Sequence, residues 1–475
     1  MTGARVLTLK NVINGRHDDG GAGATLPFHD PRTGGQLGVA PDSDAATVDR
    51  AFNAAQAAFR TYKRTTPAER QAMLLALADL VETNADRLLE AEVACTGKPA
   101  AITRSLEILR GADQLRFFAG ACRVVSGTAQ TEYVAGFSST VRREPLGVVA
   151  QITPWNYPFM MAVWKLGPAL AAGNTVVLKP ADTTPWSSVI LAELAQQVYP
   201  AGVVNVVCGG RNTGAAMVDH PVPELVSITG STRAGAQVMS AAAATLKDVH
   251  LELGGKAPAI VFADVDIPQT AREIALGAFF NAGQDCTAVT RVLVHETIHA
   301  EFAQALADAA SALVTGGEDA DLGPLNSAAQ LDRVEGFMAR LPANARILTG
   351  GKRTGTGFHF APTVIDGVVQ SDEVVAEEIF GPVVTVQPFA NEAEALELAN
   401  GTKYALASSV WSNNHGTVTR VANELDFGSV WINCHQVIPA EAPHGGFKHS
   451  GTGKDLSVFG LEDYTRIKSV TTSHR

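Results

Sequence analysis

Apolar residues recur at three- and four-residue intervals through an alanine-rich run from Asp44 to Tyr62, the spacing of a helix that buries one face, and Ser43 stands just ahead of it. Thr66-Pro67-Ala68-Glu69 announces a second helix with an N-cap hydroxyl, a proline whose missing amide costs nothing there, and a glutamate three residues after the cap. Its pattern runs towards Gly97. From residue 146 the rhythm changes. Short apolar runs at 147–152, 175–178, 203–207, 225–229 and 249–253 each end in glycine, proline or a polar turn and lead into a helical pattern. That alternation predicts parallel strands joined by crossover helices. A second series at 259–262, 290–294, 383–386 and 408–411 predicts another such sheet, with ligand chemistry between the two units at the carboxyl ends of strands. Residues 124–143 alternate weakly around Gly127 and Gly136 and read as a β-ribbon, and the strand-like 461–472 can pair with it outside both units. The fold class expected is α/β, two consecutive parallel-sheet domains plus a small ribbon.

Composition narrows the function. The 475 residues are 46% hydrophobic and 18% charged, enough for two or three packed units at roughly 100–200 residues each. A net charge of −11 argues against a nucleic-acid partner. Five cysteines (Cys95, Cys122, Cys208, Cys286, Cys434), odd in number and never spaced as CxxC, argue for a reducing compartment. The first ten residues carry no apolar secretory core, and the least polar stretch, 159–173, is interrupted by Lys165 and Pro168 and falls short of the roughly 18 residues a membrane span needs. A cytoplasmic protein without a membrane partner is expected.

The chain lacks G-x-G-x-x-G, the Walker A pattern and G-x-S-x-G. His295-Glu296-Thr297-Ile298-His299 fits H-E-x-x-H, but a strand runs into His295 and Thr297 reads as the N-cap of the next helix. The two imidazoles would straddle a helix start, so no metal is expected. Other chemistry sits at strand ends. Asn156, in Pro154-Trp155-Asn156-Tyr157-Pro158, either packs in an aromatic turn or donates its amide to developing negative charge. Lys179, at the tip of a buried strand, is a solvated end or a ribose ligand; Gly230 and Ser231 precede a helix whose N-terminus suits a pyrophosphate. Glu252 lies in an apolar strand closed by Gly254-Gly255, as a structural pair or a base with a raised pKa. Cys286 is flanked by polar residues just after a helix ends at Gly283, which favours a nucleophile over core filler.

These segments, with Glu377-Glu378-Ile379-Phe380-Gly381-Pro382-Val383 and 443–455, stand in one order over about 300 residues, and together they resemble the aldehyde dehydrogenase superfamily. The resemblance implies a cofactor domain (1–123 and 144–253), a catalytic domain (254–449) and a ribbon with a C-terminal strand (124–143 and 450–475), assembled as a homotetramer or homodimer. It implies NAD as cofactor, with NADP the alternative. It also implies roles: Cys286 as nucleophile, Glu252 as general base, Asn156 as oxyanion donor, and Lys165 with Asp455 as a proton relay behind the base. Ile152, Trp155, Lys179, Asp182, Gly230, Ser231, Glu378 and Phe380 would hold the cofactor. Asp182 stands where NAD-preferring members carry a longer glutamate; its carboxylate would still repel a 2′-phosphate, whereas Arg211 and Arg233 would attract one.

The implied reaction converts an aldehyde to its acid through a thioester on Cys286. A rival in which coenzyme A resolves the thioester is disfavoured by Glu252, and a catalytically silent relative by the presence of both Cys286 and Glu252. Around 116–120, 155–166, 441–455 and 461–465 the chain looks most like bacterial aminobutyraldehyde dehydrogenases, which implies an amino aldehyde such as 4-aminobutanal. Tyr157 and Trp164 would line its tunnel, Glu107 or Asp113 would face the mouth, and Ile438 stands where some relatives have an aromatic wall, which keeps betaine aldehyde and plain aldehydes open.

Overall fold

The computed structural model describes residues 6–21, 23–317 and 320–475. Met1 to Arg5, half of the segment used above to exclude a secretory core, lie outside the described residues.

Eight strands form the first sheet. At its centre Val148–Ile152 pairs in parallel with Thr175–Lys179 on one side and Leu225–Thr229 on the other. Val204–Val206 extends one flank and Asp248–Glu252 the other, both parallel. Gly451–Thr452 then adds an antiparallel edge beside Glu252. Because chain order reverses across Val148–Ile152, a crevice opens beyond the carboxyl ends of these strands. The second, seven-stranded sheet is built on Ala257–Val261, with Val289–His295, Val383–Phe389 and Ala407–Trp411 around it, again parallel. All five residues of Thr175–Lys179 and of Ala257–Val261 are buried, which is why those runs are apolar without alternation. Thr128–Val134, Phe137–Pro145 and Thr465–Ser473 form a separate antiparallel ribbon, largely exposed.

The N-terminal helices follow their signals with one correction. Asp44 caps Ala45–Tyr62, its carboxylate accepting from Thr47 N. Thr66 and Glu69 close the capping box of Pro67–Thr83, but that helix does not reach Gly97: Asn84 ends it, and Ala85–Thr96 runs on to Gly97 in the left-handed region. A π-turn, Arg104–Leu109, then leads into Arg110–Ala121. At the other end Ser457–Asp463 is a helix, so the final strand begins only at Thr465.

Candidate active site

Three strand ends and one turn meet at the crevice. The loop after Val148–Ile152 carries Trp155, Asn156 and Tyr157; the turn after Leu225–Thr229 carries Gly230 and Ser231; Asp248–Glu252 ends on Glu252 itself. Opposite them stands Cys286, which follows a 3-10 turn, Phe280–Gly283, rather than a helix end at Gly283. Asn281 and Ala282 take left-handed backbone conformations there (φ 50° and 54°), strain held in place by packing at the nucleophile's approach. Trp155, Asn156, Tyr157, Gly230, Ser231, Glu252 and Cys286 line one cavity of about 710 Å³, together with Trp164, Glu378, Phe380, Ile438 and Asp455.

The glycines record how closely the parts approach. A Cβ on Gly255 would lie 2.1 Å from the Cys286 carbonyl oxygen, one on Gly254 2.3 Å from Glu378 Oε2, and one on Gly445 2.3 Å from Glu252 Oε1. Side chains at these positions would displace Cys286, Glu378 and Glu252.

Asn156 is fixed from behind. Its backbone carbonyl accepts from Lys98 Nζ (3.0 Å) and Asn281 Nδ2 (3.0 Å), and its own Nδ2 donates to Gln284 O (3.0 Å). An amide has two N–H donors, so one remains for the cavity. Burial raises the Cys286 thiol well above its ordinary pKa, and the negative charges of Asp285, Glu252 and Glu378 push the same way. Burial likewise raises Glu252, reinforced by Asp455. Glu252 Oε1 is buried without a hydrogen-bond partner. A carboxylate left so costs free energy unless a substrate or water answers it.

Behind Glu252, Lys165 Nζ lies 3.3 Å from Asp455 Oδ2, both side chains fully buried. Burial would raise Asp455, but Lys165 and His250 hold it well below the ordinary carboxylate range. On the cofactor side Ser231 caps the Thr232–Ala243 helix. Glu378 Oε1 accepts from Gly255 N (2.8 Å), and burial lifts its pKa to about 7. Phe380, at φ 60°, meets Trp155 edge to face with centroids 5.2 Å apart; Gln330 Nε2 donates to its carbonyl (2.6 Å), and Arg333 to that of Glu378. Lys179 Nζ donates to Pro180 O and Gly209 O (2.8 Å each), with Ile152 beside its stem near Gly214. Asp182 is exposed beyond it, outside the cavity lining.

The family model described as the aldehyde dehydrogenase family matches residues 19–470. The chain belongs to the aldehyde dehydrogenase family. It is 38% identical over 473 residues to DhaS of Bacillus subtilis (strain 168), covering 98% of this chain and 95% of that protein. An aldehyde dehydrogenase from Bacillus cereus, solved as its NAD+ complex, superposes with a TM-score of 0.96 at 37% identity, over 99% of this chain and 97% of that one. A point mutant of betaine aldehyde dehydrogenase from Staphylococcus aureus, solved with NAD+, gives 0.96 at 35% identity, over 98% and 96%.

A second cavity of about 340 Å³ continues the aldehyde dehydrogenase site and shares Tyr157, Met160, Trp164, Asp285 and Ile438 with the first. Tyr157 donates to Asp285 Oδ2 (2.7 Å), and Trp164 Nε1 to Gln114 Oε1 (2.9 Å). Glu107 lines this cavity, but its carboxylate is engaged by Lys98 Nζ (2.6 Å); burial raises its pKa to about 8. Asp113 does not face the tunnel. It is exposed and lines neither cavity, because the π-turn before it shifts the helix phase and brings Gln114 inward instead. The zinc-like pattern dissolves as well: His295 Nδ1 lies 2.9 Å from Thr297 Oγ1, His299 Nε2 3.2 Å from Asp366 Oδ1, and Ile298, not Thr297, precedes the helix, since the Thr297 hydroxyl is taken by His295.

Sequence reasoning missed Lys98, Gln284 and His250. The first two leave no pattern in the sequence. His250 does: it stands two residues before Glu252 on one strand, hence on the same face.

Proposed function

We propose that this chain oxidises an aldehyde to the carboxylic acid with a nicotinamide dinucleotide, through a thioester on Cys286. The observation that carries this is the meeting of Cys286, Asn156 and an unpartnered Glu252 in one cavity with the Gly230–Ser231 turn. The residues fit the dinucleotide. Ser231 and the helix N-terminus suit its pyrophosphate, Glu378 and Phe380 its nicotinamide ribose, and Lys179 with Asp182 its adenosine ribose. The carboxylate of Asp182 favours NAD over NADP. When bound, the dinucleotide supplies the hydride acceptor.

The protein's own groups do the rest. Cys286 Sγ, its proton removed, bonds to the carbonyl carbon while the free Asn156 N–H donates to the oxyanion. Once the carbonyl re-forms as a thioester, Glu252 takes a proton from water as the water oxygen attacks, and the tetrahedral adduct expels the Cys286 thiolate. Cys286→Ala is expected to abolish aldehyde oxidation while retaining cofactor binding. Glu252→Gln is expected to give a burst near one reduced cofactor per site and then nearly stop; a variant with no burst would move Glu252 to an earlier step.

For the substrate we infer an amino aldehyde. Two carboxylates, Glu273 and Asp285, line the second cavity against one guanidinium, Arg110, with the rings of Tyr157, Trp164 and Phe280 among them, while Glu107 is already taken by Lys98. That lining suits an ammonium-bearing tail. Comparing kcat/KM for 4-aminobutanal, 3-aminopropanal, betaine aldehyde, hexanal and benzaldehyde tests it. An advantage of about tenfold for the uncharged aldehydes, ~1.4 kcal/mol, would overturn the amino-aldehyde reading alone. Two copies or four, joined along the exposed ribbon, are the proposed assembly, in a cytoplasmic setting; among the described residues no helix is long and apolar enough to cross a membrane.

A further inference from the structure

Each thioester hydrolysis leaves a proton on Glu252, a residue only 3% exposed. Asp455 lines the same cavity and can receive that proton through water. From Asp455 two side chains lead away. Lys165 is a dead end, its side chain 0% exposed and its ammonium facing Asp455 from the core. The other is His250. Its Nε2 lies 3.2 Å from Asp455 Oδ1, and its Nδ1 3.4 Å from Asp463 Oδ2. The side chains of Asp455 and His250 are 1% and 2% exposed, that of Asp463 38%. The imidazole is therefore a bridge of one residue between a buried carboxylate and a carboxylate that touches water.

The local backbone is shaped for that bridge. Gly453 has φ +92°, and a Cβ there would stand 2.8 Å from His250 Nδ1 and 3.0 Å from Asp463 Oδ2, between the two groups. Asp463 Oδ2 also accepts from Lys454 N (2.8 Å), which ties the carboxylate to the strand-end loop that carries Asp455. Each imidazole nitrogen thus faces one carboxylate oxygen within reach of proton transfer.

We propose that His250 and Asp463 form the exit by which the proton of thioester hydrolysis leaves Glu252 and Asp455 for solvent. This rests on the function proposed above. Water gives its hydroxyl to the acyl carbon and one proton to Glu252, which passes it to Asp455. His250, in its neutral form, takes it at Nε2 and gives one up from Nδ1 to Asp463, which releases it; the ring is left in its other tautomer and turns to reset before the next turnover. An imidazole can accept at one nitrogen and donate from the other, which a carboxylate pair alone cannot do across this distance. His250 and Asp463 are positioning residues in this scheme, since neither touches the aldehyde.

The test is stopped-flow mixing in weak buffer, with reduced cofactor followed by absorbance and released protons by an indicator dye. Asp463→Asn keeps an oxygen acceptor for Lys454 N at a side chain that is 38% exposed. His250→Gln keeps polarity but cannot relay. In both, the cofactor burst is expected at the wild-type rate, while the proton-release phase slows about tenfold or more and KM for aldehyde holds. In His250→Ala, added imidazole is expected to restore proton release in proportion to its concentration. Proton release at the wild-type rate in Asp463→Asn and His250→Gln would overturn the relay, as would a slowing that tracks only a lowered Tm and ignores imidazole. Absence of any cofactor burst in the wild type would instead overturn the function on which it rests.

Discussion

Cys286 is held back from ionising by its own surroundings, burial first and the Asp285 carboxylate next. Asp285→Asn keeps an oxygen for Thr287 N and Oγ1 but removes the charge. The thiolate then forms more easily, so the pH profile of iodoacetamide alkylation at Cys286 is expected to move to lower pH, with Cys95 and Cys208 unreactive in their buried sites. An unmoved profile would leave burial as the whole cause. At this scale the sequence was legible where a reactive side chain sits in a setting that packing does not explain. Cys286 among polar neighbours and Glu252 inside an apolar strand are such cases. It was not legible where partners come from distant segments: Lys98 reaches Asn156 across 58 residues, and no local pattern encodes that. Asp113 was misplaced for a related reason, since one extra residue in a π-turn rotates every later position on the helix.

Elements were easier to read than partners because their signals are local. The capping box of Pro67–Thr83 depends on Thr66 and Glu69 alone. Thr66→Ala is expected to cost about 1 kcal/mol at that helix start, visible as amide exchange about fivefold faster at Glu69 and Arg70, with exchange elsewhere unchanged. The parallel strands fell within a few residues of their apolar runs for the same reason, a buried strand having to be apolar on both faces. The break at Asn84 escaped notice because the apolar face continues on both sides of it while the axis changes. The helix at Ser457–Asp463 escaped because seven residues are too few to display a period.

Across the whole molecule the buried charges set a pH window. Burial opposes a charged His250, but Asp455 and Asp463 outweigh it and raise its pKa from 6.5 to about 9. A raised pKa stabilises the folded state fully below the unfolded value and loses that contribution as pH climbs through the folded one. Apparent Tm at fixed scan rate is therefore expected to fall between pH 7 and pH 10 more steeply in the wild type than in His250→Gln; parallel curves would mean that the imidazole contributes nothing to folding. The same C-terminal region has a consequence in time. Gly451–Thr452 edges the first sheet beside Glu252, Asp455 lines the cavity, and Thr465–Ser473 completes the ribbon against Phe137–Pro145. A ribosome makes these residues after everything they complete, and the earlier segments are free to fold first. A nascent chain thus carries Cys286 and Glu252 well before it has Asp455 behind Glu252 or a partner for Phe137–Pro145. Lys165 and the ribbon both wait on one late segment to meet their partners.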